Sequence, residues 1–204
     1  MMLKWPKEVG NSRMRIGVLA LQGSIQEHKS MLKKCGVESV EVRLPEDLKG
    51  IDGLIIPGGE STTIGKLMID YGLDKEIKKQ YEKGLSIYGT CAGAILLAKD
   101  IIGSKQLKLD LLDVSIKRNS YGRQIDSFET ELELKDVEKP FKGIFIRAPV
   151  IDSIHNGVKV LSKFKDKPVL VQQKNLLAST FHPELTDDVR VHEYFVEMVR
   201  KACS

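Results

Sequence analysis

Short aliphatic runs alternate with amphipathic stretches along the first half of the chain. The run MRIGVLAL at 14–21 is followed by SIQEHKSMLKKCG, in which one helical stripe carries Ile25, His28, Met31, Leu32 and Cys35. The same order is predicted from the strands VESVEVRL, IDGLIIPGG and LSIYGT, followed in turn by the helical stretches PEDL, ESTTIGKLMIDYG and CAGAILLAKD. This alternation predicts an α/β fold, a three-layer doubly wound and mostly parallel sheet with ligands at the carboxyl ends of its strands.

Predicted strands follow one another more closely in the second half of the chain. Their sequences are DVSIKRNSYGRQIDSFETELEL, GIFIRAPVI, VKVLSKF, KPVLVQQ and LLASTF, and a helix over VRVHEYFVEMVRKA closes the chain. We expect some of these strands to be antiparallel additions to the main sheet. The predicted organisation is an N-terminal extension over 1–13 and a single domain over 14–204, with Met1 or Met14 as the start.

Composition and charge argue against several classes of protein. The 204 residues carry 32 Lys and Arg against 28 Asp and Glu, and the net charge of +4 is scattered rather than gathered in a patch, which argues against nucleic-acid binding. No apolar run approaches the length of a bilayer span, and MMLKWPKEVGNSR lacks the apolar centre of a signal peptide. We therefore expect a cytoplasmic protein with no membrane partner. The cysteines Cys35, Cys91 and Cys203 lack CxxC spacing, so we expect no disulfide framework, no metal site and no cofactor.

Cys91 lies between two glycines where a predicted strand meets a predicted helix. The sequence GTCAG has the spacing G-x-C-x-G, the pattern of a nucleophile elbow, in which a sharp turn presents the central residue. We expect the Cys91 thiol to point into solvent at the start of a helix, where partial positive charge favours the reactive thiolate. The alternative is a small apolar cysteine in an ordinary turn, and the motif alone does not decide between the two.

A thiol nucleophile needs a proton acceptor, and the chain has four histidines. His28 and His192 lie in predicted helices, and His155 lies in a predicted turn. We interpret these three as surface or half-buried structural residues.

His182 differs from the other histidines because it ends the apolar run LLASTF and precedes a proline. Proline favours an extended backbone in the residue before it, and residues two apart in an extended segment project to the same side. His182 and Glu184 can therefore face one another, as the base and the acid of a triad do. Together with the Cys91 elbow they predict a nucleophile, a base and an orienting carboxylate.

The loop PGGEST at 57–62 ends a predicted strand ahead of a predicted helix. The backbone N–H groups of Gly58 and Gly59 can bind a carboxylate or a developing oxyanion at such a position. The alternative is a plain loop between a strand and a helix. We expect this loop to lie at the same sheet edge as Cys91 and His182.

Together these residues resemble the class I glutamine amidotransferase family, whose flavodoxin-like fold carries a cysteine in G-x-C-x-G and a later His-x-Glu. Within it the chain is most similar to the glutaminase subunits of pyridoxal 5'-phosphate synthase, from about Met14 to the C-terminal helix. This resemblance rests on LALQGSIQEH at 19–28, PGGESTT at 57–63, GTCAGAILLA at 89–98, RNSYGRQIDSFE at 118–129, FIRAP at 145–149 and FHPEL at 181–185. PGGEST and RNSYGRQ are specific to these subunits, whereas GTCAG and HPE are shared by their relatives.

The resemblance implies a role for each matched site residue. Cys91 is the implied nucleophile, His182 the general base and acid, and Glu184 the carboxylate that orients His182. Arginine can pair with the α-carboxylate of glutamine and a glutamate with its α-ammonium group. The N–H groups of Gly59 and Ala92 are the candidates for the oxyanion hole. The implied contacts with glutamine are Gly58, Gly59, Glu60, Arg118, Ile146 and Arg147.

The implied reaction is hydrolysis of L-glutamine to L-glutamate and ammonia through a γ-glutamyl thioester. The implied partner is the synthase subunit that uses this ammonia to make pyridoxal 5'-phosphate (vitamin B6), in a complex of twelve glutaminases on a twelve-subunit core. We expect docking at Gln22 to His28 and near the Cys91 elbow. Two alternatives stay open, a glutaminase subunit of another amidotransferase and a non-catalytic regulatory subunit with the same fold.

Overall fold

The structure, a computed structural model, describes residues 14–118, 127–155 and 157–203. In chain order the strands are β1 (Arg15–Leu19), β2 (Glu38–Val42), β3 (Gly53–Ile56), β4 (Ser86–Thr90), β5 (Ala98–Ile102), β6 (Leu112–Lys117), β7 (Ser127–Leu132), β8 (Phe141–Ile146), β9 (Val150–Ile154), β10 (Lys159–Phe164), β11 (Lys167–Gln173) and β12 (Leu176–Ser179). The helices are α1 (Ile25–Lys34), α2 (Ser61–Asp70), α3 (Leu73–Glu82), α4 (Ala92–Leu97) and α5 (Arg190–Cys203). Short 3-10 turns lie at Pro45–Leu48 and Pro183–Leu185.

A seven-stranded sheet runs through the centre of the molecule, in the order β10-β11-β12-β4-β3-β1-β2. The five strands from β12 to β2 are parallel, and β11 and β10 extend the sheet in antiparallel fashion. Every residue of β3 and β4 is buried, as expected for parallel strands that are covered on both faces. The predicted mostly parallel α/β sheet is confirmed.

The two faces of this sheet contribute to separate apolar cores. Successive residues of a strand point to opposite faces, so Leu54 and Ile56 of β3 join one core while Ile55 joins the other. The first core contains buried side chains of α2, α3 and α4 together with β5 and β6. The second contains side chains of α1 and α5 and of the β7-β8 hairpin. The result is the predicted three-layer arrangement.

Two local features differ from the sequence-based expectation. Helix α4 ends at Leu97, and Ala98 to Ile102 form strand β5, where the helical pattern predicted continuation to Asp100. Ala98 is extended and pairs with β6. In this strand Ala98 and Ile101 are buried, while the two residues between them are exposed. Helix α3, for which no element was predicted, buries Leu73 and Ile77 one turn apart.

The later strands are divided between the main sheet and two smaller units. Strands β10, β11 and β12 join the main sheet, and the first two of these are the antiparallel additions that the sequence predicted. Strands β5, β6 and β9 form a three-stranded sheet of their own, and β7 pairs with β8 as a separate hairpin. Alternate residues of β6 are buried, and they pack against the first core rather than extending the edge of the central sheet.

Strands β1, β3, β4 and β12 are parallel, so their carboxyl ends meet at one edge of the sheet. The loops that follow carry Gln22, Gly58 with Gly59, Cys91 and His182. Residues 1–13 and 119–126 lie outside the described part of the chain, and the second of these ranges contains all of the RNSYGRQ motif except Arg118.

Within the three described ranges, none of the helices combines the length and the apolar character needed to cross a membrane.

Candidate active site

Backbone hydrogen bonds hold the two strand ends of the candidate site together. The N–H of Cys91 donates to the carbonyl oxygen of Ser179 at 2.8 Å, which links the end of β4 to the end of β12. The N–H of His182 donates to the carbonyl oxygen of Ile144 at 2.8 Å, which links the site to the β7-β8 hairpin. The thiol and the imidazole are therefore carried by backbone that the surrounding strands fix.

Cys91 has an unusual backbone conformation, with φ of 47° and ψ of −100°. Left-handed φ is costly for a residue with a side chain, and such strain concentrates at functional sites. The flanking glycines permit close approach: a Cβ atom on Gly93 would lie 2.0 Å from the carbonyl oxygen of Ile56. A Cβ atom on Gly89 would lie 2.6 Å from the backbone of Gly93. The sequence therefore folds as the elbow that G-x-C-x-G predicts.

The expectation that the Cys91 thiol points into solvent is wrong, because Cys91 is only 7% exposed. Its Sγ lies 3.9 Å from the carbonyl oxygen of Ile146, and the backbone of Gly58 packs against its Cβ atom. The loops after β3 and β8 thus cover the thiol.

His182 and Glu184 form a buried pair. The Nδ1 atom of His182 lies 2.8 Å from Oε1 of Glu184, and the residues are 6% and 4% exposed. An ionised carboxylate only accepts hydrogen bonds, so Nδ1 carries the proton and Nε2 is directed elsewhere. The backbone differs from the predicted extended segment, since Pro183 starts a 3-10 turn, a position that its fixed φ suits.

The charges of the site support one another. Burial lowers the pKa of His182, but hydrogen bonding to Cys91 and Glu184 raises it, and the resulting pKa is about 10. Burial raises the pKa of Glu184, while the two neighbouring imidazoles of His28 and His182 lower it below its usual value. At neutral pH the imidazole is thus protonated between a carboxylate and a thiol.

Gly58 has no space for a side chain. A Cβ atom there would lie 2.4 Å from Cε1 of His182 and 3.5 Å from Cβ of Cys91. The loop after β3 therefore packs directly on the imidazole and beside Cβ of Cys91, and a side chain at Gly58 would clash with the imidazole.

Gly59 lies against the loop that follows β1. A Cβ atom on Gly59 would lie 2.5 Å from Oε1 of Gln22, and the same oxygen accepts a hydrogen bond from the N–H of Glu60 at 2.8 Å. The N–H of Ser24 donates to the carbonyl oxygen of Gly58 at 3.1 Å. The segment predicted to dock a partner is thus hydrogen-bonded to the loop predicted to bind the oxyanion.

Glu60 caps helix α2. Its carboxylate accepts hydrogen bonds from the N–H groups of Thr62 at 3.2 Å and Thr63 at 2.7 Å, and from both threonine hydroxyls. Burial raises its pKa, but these bonds lower it to about 2. Arg118 donates to Glu60 at 3.2 Å and to Oε1 of Gln106 at 2.8 Å. The two charges predicted to bind glutamine therefore lie together at the rim of the site.

The remaining predicted contacts lie on the two other loops at the same edge. Ile146 ends β8 and is 38% exposed, and Arg147 follows it with a φ of 43°. Ala92 is buried as the first residue of α4, directly after Cys91. All of the predicted site residues belong to the described part of the chain, and they lie at or just after the ends of β3, β4, β6, β8 and β12.

Two further histidines lie behind this site and were not predicted from the sequence to belong to it. His28 and His192, interpreted as surface or half-buried, are both fully buried. Nε2 of His28 lies 3.6 Å from Oε2 of Glu184, on the side of the carboxylate opposite to His182. The signal available in the sequence was the position of His28 on the apolar stripe of α1. No group of three or more His, Cys, Asp or Glu in the described ranges could hold a metal ion.

Comparison with known proteins identifies the family of the chain. Residues 18–201 match the SNO glutamine amidotransferase family. The chain belongs to this family. Similar proteins include the pyridoxal 5'-phosphate synthase subunit PdxT of Moorella thermoacetica, 54% identical over 187 residues that make up 91% of this chain and 100% of the relative. The protein of the same name from Thermus thermophilus is 53% identical over 185 residues, or 90% of this chain and 96% of the relative.

Solved structures with a similar fold were also found. A crystal structure described as a glutamine amidotransferase is 52% identical, has a TM-score of 0.87 and covers 91% of this chain and 98% of its own. The structure of PurLQS from Thermotoga maritima, 20% identical with a TM-score of 0.66 and covering 95% of this chain and 100% of its own, shares the fold.

Proposed function

We propose that this chain is the glutaminase subunit of a pyridoxal 5'-phosphate synthase. It hydrolyses L-glutamine to L-glutamate and ammonia, and the ammonia is used for the synthesis of pyridoxal 5'-phosphate. The observation that carries the proposal is the buried His182–Glu184 pair, 2.8 Å apart, beside the strained Cys91 elbow. Relatives more than 50% identical over nine-tenths of the chain and named as subunits of this synthase support the metabolic role.

The proposed reaction begins with attack of the Cys91 thiolate on the side-chain carboxamide carbon of glutamine. As the tetrahedral intermediate collapses, the carbon–nitrogen bond breaks and the protonated imidazole of His182 gives its proton to the departing ammonia. The product of this half-reaction is a γ-glutamyl thioester on Cys91. Water then attacks the thioester while neutral His182 accepts its proton, which releases glutamate and restores the thiolate and imidazolium. Glu184 orients the imidazole through Nδ1 in both steps.

The backbone N–H groups of Gly59 and Ala92 are proposed to stabilise the oxyanion of both tetrahedral intermediates. Ala92 follows the nucleophile, which is where an elbow places one oxyanion donor. Gly59 belongs to the loop that packs on His182 and Cys91 through Gly58. A donor from each of two loops would point at the same side of the reacting carbon.

The rim of the site is proposed to bind the amino acid end of glutamine. Arg118 takes the α-carboxylate and Glu60 the α-ammonium group, because a zwitterion can replace each charge's present partner with one of the same sign. Their present separation of 3.2 Å means that substrate binding must open this ion pair. Ile146 and Arg147 complete the pocket from the β8 end, and Gly58 completes it from the opposite loop.

We propose that the partner is the synthase subunit that receives the ammonia, in a complex with twelve copies of each subunit. Docking is proposed at the segment Gln22 to His28 and near the elbow. In that segment Gln22, Gln26 and Glu27 are accessible to a partner, whereas His28 is buried and does not face one. We also propose that residues 14–204 form one glutamine amidotransferase domain and that the protein is cytoplasmic.

Glutamate release from glutamine tests this proposal, measured with the purified chain alone and with a pyridoxal 5'-phosphate synthase subunit. We expect release that rises with the synthase subunit, disappears in Cys91→Ala and survives in Cys203→Ala, because Cys203 is exposed at the end of α5. Complex formation without glutamate release would contradict the activity and favour a regulatory subunit. Activation by the synthase of a different amidotransferase, and not by this one, would contradict the assigned partner.

A further inference from the structure

His28 stands at the centre of a row of buried polar side chains behind the proposed triad. Its Nε2 atom lies 3.1 Å from Oγ1 of Thr90 and 3.6 Å from Oε2 of Glu184. Its Nδ1 atom lies 3.0 Å from Nε2 of His192 on α5. Thr90 immediately precedes Cys91, so this one imidazole touches the residue before the nucleophile and approaches the carboxylate of the triad.

The Glu184 carboxylate is incompletely satisfied by His182 alone. Oε1 accepts a hydrogen bond from the Nδ1–H of His182. Oε2 is buried and has no partner within hydrogen-bond distance among the described residues. A buried carboxylate oxygen without a donor is costly. The imidazole of His28 at 3.6 Å is placed to supply that donor through a small movement.

The neighbours of His28 determine which of its nitrogens carries the proton. Because the carboxylate accepts only, the Nε2–H form of His28 is favoured. Nδ1 of His28 then accepts from the Nε2–H of His192, whose own Nδ1 has no partner among the described side chains and needs no proton. Burial lowers the pKa of both imidazoles, that of His192 to about 3, so both are neutral. The N–H donors of these side chains therefore all point one way, from His192 to His28 and from His28 towards Glu184.

We infer that His28, held in its Nε2–H form by His192, is a positioning residue of the glutaminase, whose single Nε2–H is shared between the hydroxyl oxygen of Thr90 and the Glu184 carboxylate and so positions both beside the nucleophile elbow. This inference rests on the proposed function. Packing alone would be met by an apolar side chain, because the other buried residues on this face of α1 are Met31 and Leu32. A fully buried imidazole at that position needs polar partners, and the partners that it has belong to the site.

The pH dependence of activity distinguishes positioning from packing. The groups that face His28 are Glu184 and His182 from the 3-10 turn, His192 from α5, the Tyr88 ring from β4, and Glu27 on its own helix. Removing the N–H donor of His28 raises the pKa of the Glu184 carboxyl. The acid limb of kcat/KM then moves to higher pH, which loss of apolar packing would not cause.

The variants His28→Leu and His28→Gln test this in the complex with the synthase subunit. We expect His28→Leu to lower kcat by about 10- to 100-fold, with KM within about twofold and the acid limb higher by about one pH unit. His28→Gln keeps an N–H donor near the position of Nε2 and should restore most of kcat and the acid limb. His155→Leu, which removes an exposed histidine, is the matched control and should leave both unchanged.

Nitrogen NMR of the full chain, labelled in its histidine rings, measures the charge and tautomer of His28 and His192 without substrate. We expect His28 to be neutral and protonated at Nε2, and His192→Phe to mix its two tautomers. An Nδ1–H form of His28, or an unmoved acid limb in an active His28→Leu complex, would overturn the inference. A wild-type complex that releases no glutamate would instead overturn the proposed function, so the two failures are separable.

Discussion

The triad and the rim of the site are built in different ways. Cys91, His182 and Glu184 are at most 7% exposed and lie on backbone that β12 and β8 hold by hydrogen bonds. The Glu60 and Arg118 side chains at the rim are 47% and 32% exposed; they pair with each other, and each makes further hydrogen bonds. In the proposed reaction the triad thus has its partners before substrate arrives, whereas the two rim side chains must give up their mutual ion pair.

This difference separates chemistry from recognition. A change in the buried region should lower kcat, because it disturbs groups that act on the reacting atoms. A change at the rim should raise KM with a smaller effect on kcat, because it disturbs binding of the amino acid end of glutamine.

The largest effect is expected from Glu184→Gln, which keeps the shape of the side chain but removes the charge that orients His182. The amide can donate to the imidazole and favour the wrong tautomer, so kcat should fall by about 10³- to 10⁴-fold. Steady-state glutamate release by the complex measures this. Glu193→Gln, an uninvolved glutamate on α5, is the control, and an equal loss in both variants would contradict the role of Glu184.

Gly58→Ala should have the next largest effect. The added methyl group would meet Cε1 of His182 at 2.4 Å and push the imidazole from its position, and we expect a loss of roughly 10²-fold in kcat. Gly72→Ala is the matched control, because its Cβ meets no atom within 4 Å but its φ of 72° strains a non-glycine residue. Gly72→Ala should lower the melting temperature and keep activity. A Gly58→Ala enzyme with unchanged kcat, or an inactive Gly72→Ala enzyme, would contradict the packing role of Gly58.

Glu60→Gln tests the rim. Removing the charge should raise KM for glutamine by about tenfold with kcat nearly unchanged, since it weakens the proposed contact with the α-ammonium group, while the side-chain amide oxygen of the variant can still cap α2. Glu129→Gln removes a similarly exposed glutamate, paired with Lys142 at 2.6 Å on the β7-β8 hairpin, and should leave KM unchanged. A fall in kcat without a rise in KM would show that Glu60 belongs to the chemistry instead.

The remaining effect concerns the pH dependence of stability rather than catalysis. Burial holds the pKa of His192 at about 3, below its usual 6.5, so the unfolded chain binds a proton that the folded chain does not. The free energy of unfolding should therefore fall as pH drops below about 6.5, by up to ~1.4 kcal/mol per pH unit for this group. His182, with a pKa of about 10, acts in the opposite sense, and its stabilisation is lost as pH rises from 6.5 towards 10.

Urea unfolding across this range measures both limbs. His192→Phe should flatten the acid limb and leave the alkaline limb unchanged, whatever its effect on overall stability. An acid limb of unchanged slope in the variant would contradict a neutral buried His192.

The sequence predicted the elements whose signals are local. The elbow is encoded by the five residues GTCAG around Cys91, and His182 and Glu184 are two positions apart. Short-range rules are therefore enough to predict that these residues lie at the same edge of the sheet. His28 and His192 are 164 positions apart, and their contact exists only because α1 and α5 cover the same face of the sheet. The burial of the thiol likewise depends on Gly58 and Ile146, which belong to distant strands.

Cys91 is proposed to be the nucleophile of a preformed triad. Acid quenching of the complex during glutamine turnover, followed by mass spectrometry of the Cys91 peptide, detects the thioester that this role requires. We expect a glutamyl adduct on Cys91 that is absent before glutamine is added and absent in Cys91→Ala. Glutamate release that persists in Cys91→Ala, or an adduct on another residue, would contradict it.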